Sequence, residues 1–218
     1  MAMHRDQAAR MLAAVTLTLS ATGCTGIGSA GRPDQGGPLG GWRTAGCEFR
    51  RAPQYTVVGG IRLPTTPARL GATVDRIDKG GRERFGASFA GVEVDEMRVR
   101  AILYRVPSAG FDDFVRTNAE DSCIVVRDAA HGVGELGHWN DRVVADLAYW
   151  SDRGVRIVTV GSRNDGAGVE IGTHDLARAR RELPARYGRS APLVFVAENP
   201  DGHATPAGDR AAIPETGG

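Results

Sequence analysis

Three cysteines, five histidines and a bunched set of carboxylates are the residues of this 218-residue chain whose types could do chemistry. Glu93, Asp95 and Glu96 lie within four positions of one another. Such carboxylates can exchange protons as general acid and base or hold calcium, but here they read as the solvated tip of a hairpin. His131 and His138 are two helical turns apart, yet His131 precedes the helix that would align them. Surface or capping roles fit both better than metal ligation, and no metal site is read. His174-Asp175 opens a helix, where Asp175 suits the positive end of the helix dipole. A cysteine thiol would serve as nucleophile only beside a histidine, which the spacing does not supply. The chain has no Gly-x-Ser-x-Gly elbow, Walker loop, Cys-x-x-Cys or His-Glu-x-x-His. Gly59-Gly60 and Gly80-Gly81 read as turns, because neither follows a strand and opens a helix as a phosphate cradle must. No catalytic residue and no cofactor emerge from the sequence.

The elements that would position these groups alternate between helical and strand periodicity. Leu70, Val74 and Ile77 predict a helix over Pro64–Lys79, stopped by Gly80-Gly81. Arg84–Val92 and Arg98–Val106 read as strands. Ser108 is a candidate N-cap for a helix carrying Phe111, Phe114 and Val115 on one face, and Cys123–Val126 is a short apolar strand. Val133, Leu136, Trp139, Val143, Leu147 and Trp150 then form one stripe, predicting a helix over Gly132–Trp150. Val155–Val160, the Asn164-Asp165-Gly166 turn and Val169–Ile171 read as a hairpin. Asp175–Tyr187 reads as a helix that Pro184 kinks or ends early, and Leu193–Val196 is the last strand.

Each half thus reads helix, strand, strand, helix, strand, with the second about 68 residues after the first. The expected fold class is α+β: two similar small units over residues 60–130 and 131–198, with an antiparallel or mixed sheet and helices packed on one face. The whole domain is expected over residues 42–198. Residues 24–41, rich in Gly and Pro, read as a flexible linker, and residues 199–218 as a disordered tail.

The first 23 residues have the three-part shape of an export signal. Arg5 and Arg10 precede the apolar run Met11–Leu19, and small residues lead into Cys24. The run is far shorter than the ~20 apolar residues a membrane-spanning helix needs. Ser20-Ala21-Thr22-Gly23-Cys24 resembles the lipobox of bacterial lipoproteins, with Ala21 where leucine is usual. The resemblance implies cleavage before Cys24, a diacylglycerol on its sulfur and an acylated amino terminus. It therefore implies a membrane anchor and an extracytoplasmic address. With Cys24 assigned to lipid, Cys47 and Cys123 remain as an even pair in an oxidising compartment, expected to form a disulfide; a free catalytic thiol is the alternative.

Removing Arg5, Arg10 and Asp6 with the signal leaves 25 basic and 25 acidic side chains of the original 27 and 26. That balance gives no nucleic-acid footprint. The run Val169–Val196 is similar to segments in the pro-regions of bacterial chymotrypsin-like serine proteases, where a hairpin is followed by a helix ending in an ARYG turn and a final strand. The resemblance covers the last quarter of the domain and implies a fold that packs against a protein partner; no protease domain follows Glu198. The function expected from these readings is a lipid-anchored, extracytoplasmic binding protein of the cell envelope, with a protein or envelope ligand as partner. The alternatives are an envelope hydrolase whose carboxylate and histidine site is assembled by the fold, and a protease-directed inhibitor or chaperone.

Overall fold

Apolar spacing builds most of the elements in this computed structural model, which describes residues 40–198. The export signal over residues 1–23, the lipidation site Cys24, the linker up to residue 39 and the tail 199–218 lie outside the described residues. The first unit opens with strand β1 (Gly41–Arg43), a 3-10 turn (Ala45–Glu48) and a hairpin of β2 (Gln54–Val58) and β3 (Ile61–Thr65). Gly59 and Gly60, both at positive φ, make the two-residue turn of that hairpin, a geometry that matches the twist of the flanking strands. Helix α1 (Ala68–Arg84), β4 (Phe89–Asp95), β5 (Arg100–Arg105), α2 (Ala109–Ala119) and β6 (Ile124–Asp128) follow. The sheet order is β1-β6-β5-β4, with β5 and β6 parallel and the other pairs antiparallel. Gly41, expected in the linker, already pairs with Arg127.

The second unit repeats this order with α3 (Val133–Ala145), α4 (Leu147–Asp152), β7 (Ile157–Ser162), β8 (Val169–Thr173), α5 (Leu176–Tyr187) and β9 (Leu193–Ala197). Its sheet runs β7-β8-β9, again an antiparallel hairpin followed by a parallel strand. The likeness extends to register. Phe89 pairs with Arg105 and Ile157 with Thr173, 68 residues further on, and in both hairpins the register slips immediately after that first pair. The α+β class, the mixed sheets and the two similar units of helix, hairpin, helix and strand are all present.

Each unit has its own core under its helices. In the first, Leu70 and Ile77 of α1 and Phe111 and Val115 of α2 cover Phe89, Ala101, Leu103, Ile124 and Val126 of the sheet. In the second, Leu136, Val143, Trp150, Ala179, Leu183 and Tyr187 cover Val169 and Ile171. The units meet through close backbone. Gly134 donates its N–H to Gly86 O at 2.9 Å, and a Cβ on Gly166 would lie 2.8 Å from that of Ala90. A side chain at Gly132 would collide with the carbonyls of Gly86 and Ala87.

The main departures from the sequence reading lie at element boundaries. Gly80-Gly81 does not stop α1 but lies inside it. The helix presses there against two aromatic rings: a Cβ on Gly81 would lie 2.6 Å from Phe89 Cγ, and one on Gly80 would overlap Phe114. These glycines are there for close packing, and residues 64–65, expected in the helix, finish β3 instead. The strand expected from Arg84 begins only at Phe89, because α1 runs on to Arg84 and a turn, closed by Ser88 N–H to Phe85 O at 2.7 Å, follows it. The stripe over Gly132–Trp150 forms two helices, broken at Asp146, whose carboxylate is engaged by Arg186 and Tyr187 of α5. Finally, α5 continues through Pro184 to Tyr187, where Gly188 at φ 94° caps it.

Candidate functional site

The groups best suited to acid–base chemistry are held apart. The His131 ring faces Glu135, Nδ1 to Oε2 3.1 Å. His174 Nδ1 is 3.2 Å from the Glu198 carbonyl oxygen. His138 lies edge-on to Trp139. Glu93 accepts a hydrogen bond from Tyr104 Oη at 3.3 Å. Burial, then the Glu93 charge, raises the Tyr104 pKa, and Asp165 adds to the effect. Asp165 accepts from Arg163 Nη2 at 2.6 Å, which, against burial, holds its carboxyl below the ordinary range. Glu93 and Asp165 therefore share the surroundings of Tyr104, but no histidine ring joins them. Among the described residues no group of three His, Cys, Asp or Glu is placed to hold a metal ion.

A different set of side chains converges at the end of the first sheet. Cys47, in the 3-10 turn, and Cys123, just before β6, stand at disulfide distance with Cα atoms 4.2 Å apart. Thr44 seats the same segment. Its hydroxyl donates to Ser122 O at 2.7 Å and accepts from Ile124 N–H at 2.9 Å. This clasp brings the entry segment against the β4–β5 turn and encloses a cleft of about 430 Å³. The cleft is lined by Arg43, Arg50, Arg51, Arg98 and Arg100, with Phe49, Met97 and Val125 as apolar members beside the two cysteines. Phe49 and Met97 are 65% and 57% exposed, unusual values for such side chains.

The electrostatics of this cleft are one-sided. Arg98 Nη1 and Arg100 Nε both reach Asp95 Oδ2 at 3.0 Å. Burial pushes the Asp95 carboxyl up, but the hydrogen bonds from Arg98 and Arg100 together outweigh it and hold the carboxyl below its usual value. Arg51 is paired with Asp121, Nη2 to Oδ2 3.0 Å. Arg43 and Arg50 make no ion pair with a carboxylate among the described residues. No acidic side chain lines the cleft. Five guanidinium groups around a concave wall can recognise carboxylate or phosphate through paired, charge-assisted hydrogen bonds.

Sequence reasoning missed this site because its arginines belong to three separated segments that only the Cys47–Cys123 clasp and the β4–β5 turn bring together. The signal that could have found it was the local run Phe49-Arg50-Arg51 beside a cysteine. Sequence reasoning also missed the buried ion cluster of Arg105, whose Nε and Nη2 reach Asp112 and whose Nη1 reaches Asp128; it ties β5 to α2 and to the end of β6. No family model, curated protein or solved structure matches the chain.

Proposed function

We propose that this chain is a lipid-anchored, extracytoplasmic binding protein of the bacterial cell envelope, and that the arginine-lined cleft is where it takes an anionic group of its partner. The observation that carries the reading is the cleft itself: five arginines and two exposed apolar side chains, no lining carboxylate, and two guanidinium groups unpaired with any described carboxylate. The rings of His131 and His174 are engaged by Glu135 and the Glu198 carbonyl and not by Glu93 or Asp165, which supports binding over hydrolysis. The Cys24 motif and the Gly/Pro segment after it support tethering at the outer face of the membrane.

Binding of polyglycerol phosphate and of polyglutamate, measured by titration at low and high salt, tests the cleft. The expected result is salt-sensitive binding that Arg43→Gln with Arg50→Gln weakens by about tenfold, as loss of two charge-assisted contacts would. Binding that the double variant leaves untouched overturns the assignment. The anchor is tested separately, by intact mass of membrane-extracted protein. It should have lost residues 1–23 and gained acyl mass, and Cys24→Ser should abolish that gain; a product without acyl mass refutes the lipoprotein reading.

A further inference from the structure

The β2–β3 hairpin stands away from both sheets, and every residue from Gln54 to Leu63 is exposed. Its apolar exposure is greatest at the tip: Val57 is 69% exposed, Ile61 64% and Val58 60%, against 37% for Tyr55 nearer the base. Residues paired across the hairpin share a face. Val58, Ile61, Thr56 and Leu63 thus form one face, and Tyr55, Val57, Arg62 and Pro64 the other. A two-stranded hairpin is marginal in water by itself, and an apolar tip in solvent marks a surface that meets something.

Charge selects what it meets. From Phe49 to Val74 there is no Asp or Glu, while Arg50, Arg51, Arg62 and Arg69 fall in the same stretch. The whole chain, by contrast, has nearly equal numbers of acidic and basic residues. Arg62 lies over the Tyr55 ring, 3.9 Å from its centroid, so that charge and aromatic sit together below the apolar tip. Tyr55 Oη in turn approaches Met97 Sδ at 4.0 Å, which places the hairpin base beside the arginine cleft. An apolar tip at Val58 and Ile61, with Arg62 level with Val57 and stacked on Tyr55 just behind it, matches a bilayer that presents acyl chains first and then an interface where aromatic and cationic groups sit together.

We infer that the β2–β3 hairpin is a membrane-docking wedge: Val58 and Ile61 at the tip, with Val57 beside them, enter the acyl boundary of an anionic bilayer, and Arg62 meets lipid phosphates. The inference rests on the tethered, outer-face reading of the chain and not on the ligand of the cleft. Cys24 and Gly40 are 16 positions apart, a separation that covalent geometry caps at roughly 55 Å. That length keeps the wedge within reach of the leaflet that holds the anchor. Docking fixes the orientation of the body, so that the cleft faces the headgroup layer instead of tumbling freely on its tether.

The test uses the full chain carrying Cys24→Ser, so that no acyl group is present, with Val58→Trp as a reporter at the tip. Vesicles of phosphatidylcholine with roughly one-third phosphatidylglycerol, with and without brominated acyl chains, supply the surface. The expected result is quenching of the added tryptophan by brominated lipid, reduced at least about tenfold in apparent affinity by Val57→Asp with Ile61→Asp. Arg62→Gln should cost a further ~fivefold on anionic vesicles only. Unchanged circular dichroism controls for folding, since all of these positions are exposed. A tip that brominated lipid never quenches, or that is protected only by an envelope protein, overturns the wedge. Quenching in a chain whose native form proves to lack acyl mass leaves the wedge standing and removes the anchor.

Discussion

Trp150 donates its indole N–H to Tyr187 Oη at 2.8 Å, and Tyr187 donates onward to Asp146 Oδ2 at 2.9 Å. Arg186 closes the chain with two contacts to the same carboxylate, at 2.7 and 2.9 Å. The break between α3 and α4, the α4 tryptophan and the end of α5 are therefore one hydrogen-bonded unit. Tyr187→Phe leaves the buried indole N–H of Trp150 without its partner. The expected cost is about 1–3 kcal/mol of unfolding free energy, as for other orphaned buried donors. Urea denaturation followed by tryptophan fluorescence measures it; an unchanged midpoint would show the network to be dispensable.

The same network predicts how stability depends on pH. The Arg186 hydrogen bonds hold the Asp146 carboxyl below its ordinary value of 3.8, with burial opposing and Tyr187 assisting. A carboxyl whose folded pKa is lowered stabilises the fold above its unfolded value and loses that contribution as pH falls through the folded one. Asp165, held by Arg163, and Asp95, held by Arg98 and Arg100 against burial, act in the same direction. The melting temperature should hold from neutral pH down to about 4 and then fall. Asp146→Asn should lower the plateau and shallow the acid limb. On the alkaline side, burial raises the Tyr187 pKa above 10.0, so its contribution persists below that value and is lost as pH rises through the folded one.

Glycine substitutions in helices should split by sign. Gly137 in α3 has no atom within 4 Å of an added Cβ, so Gly137→Ala should stabilise by roughly 0.5–1 kcal/mol. Gly81→Ala pushes a methyl onto the Phe89 ring and should destabilise by about 1–3 kcal/mol despite the better helix former. Thermal melts of the two single variants check the contrast. A stabilised Gly81→Ala protein would mean that α1 does not pack as described.

Cys47 and Cys123 should appear as one cross-linked pair in non-reducing peptide maps. Replacing both by serine removes a closure across 76 residues of sequence, which chain entropy values at roughly 4 kcal/mol. The clasp through Thr44 remains, so the double variant should still fold in the cold and should lose affinity in the cleft less than it loses stability. Thr44→Val in the cysteine-free background should then release the segment, seen as new protease cleavage between Arg43 and Arg51.

The two-unit plan was legible because it depends on periodicity. Phe111 and Val115 of α2 and Leu183 and Tyr187 of α5 face inward as their spacing predicts, and Ser108 and Asp175 cap their helices through Phe111 and Arg178 N–H. Gly80-Gly81 misled because a glycine pair means a turn only when the backbone needs positive φ. Here neighbouring rings, distant in sequence, require the missing side chains. The cleft was illegible for a related reason. Arg43, Arg50 and Arg98 have no periodic relation, and only the β1–β6 pairing, the disulfide and the β4–β5 turn bring them to one wall.

All strands of the first sheet and both half-cystines lie between Gly41 and Asp128, ahead of every residue of the second unit. In a chain delivered amino terminus first, covalent closure of the first unit does not wait for synthesis to finish. The second unit has no cysteine of its own and adds to a partner that is already locked. What the first unit offers the second is backbone at Gly86 and Ala87, against which Gly132 and Gly134 close with no room for a side chain at Gly132.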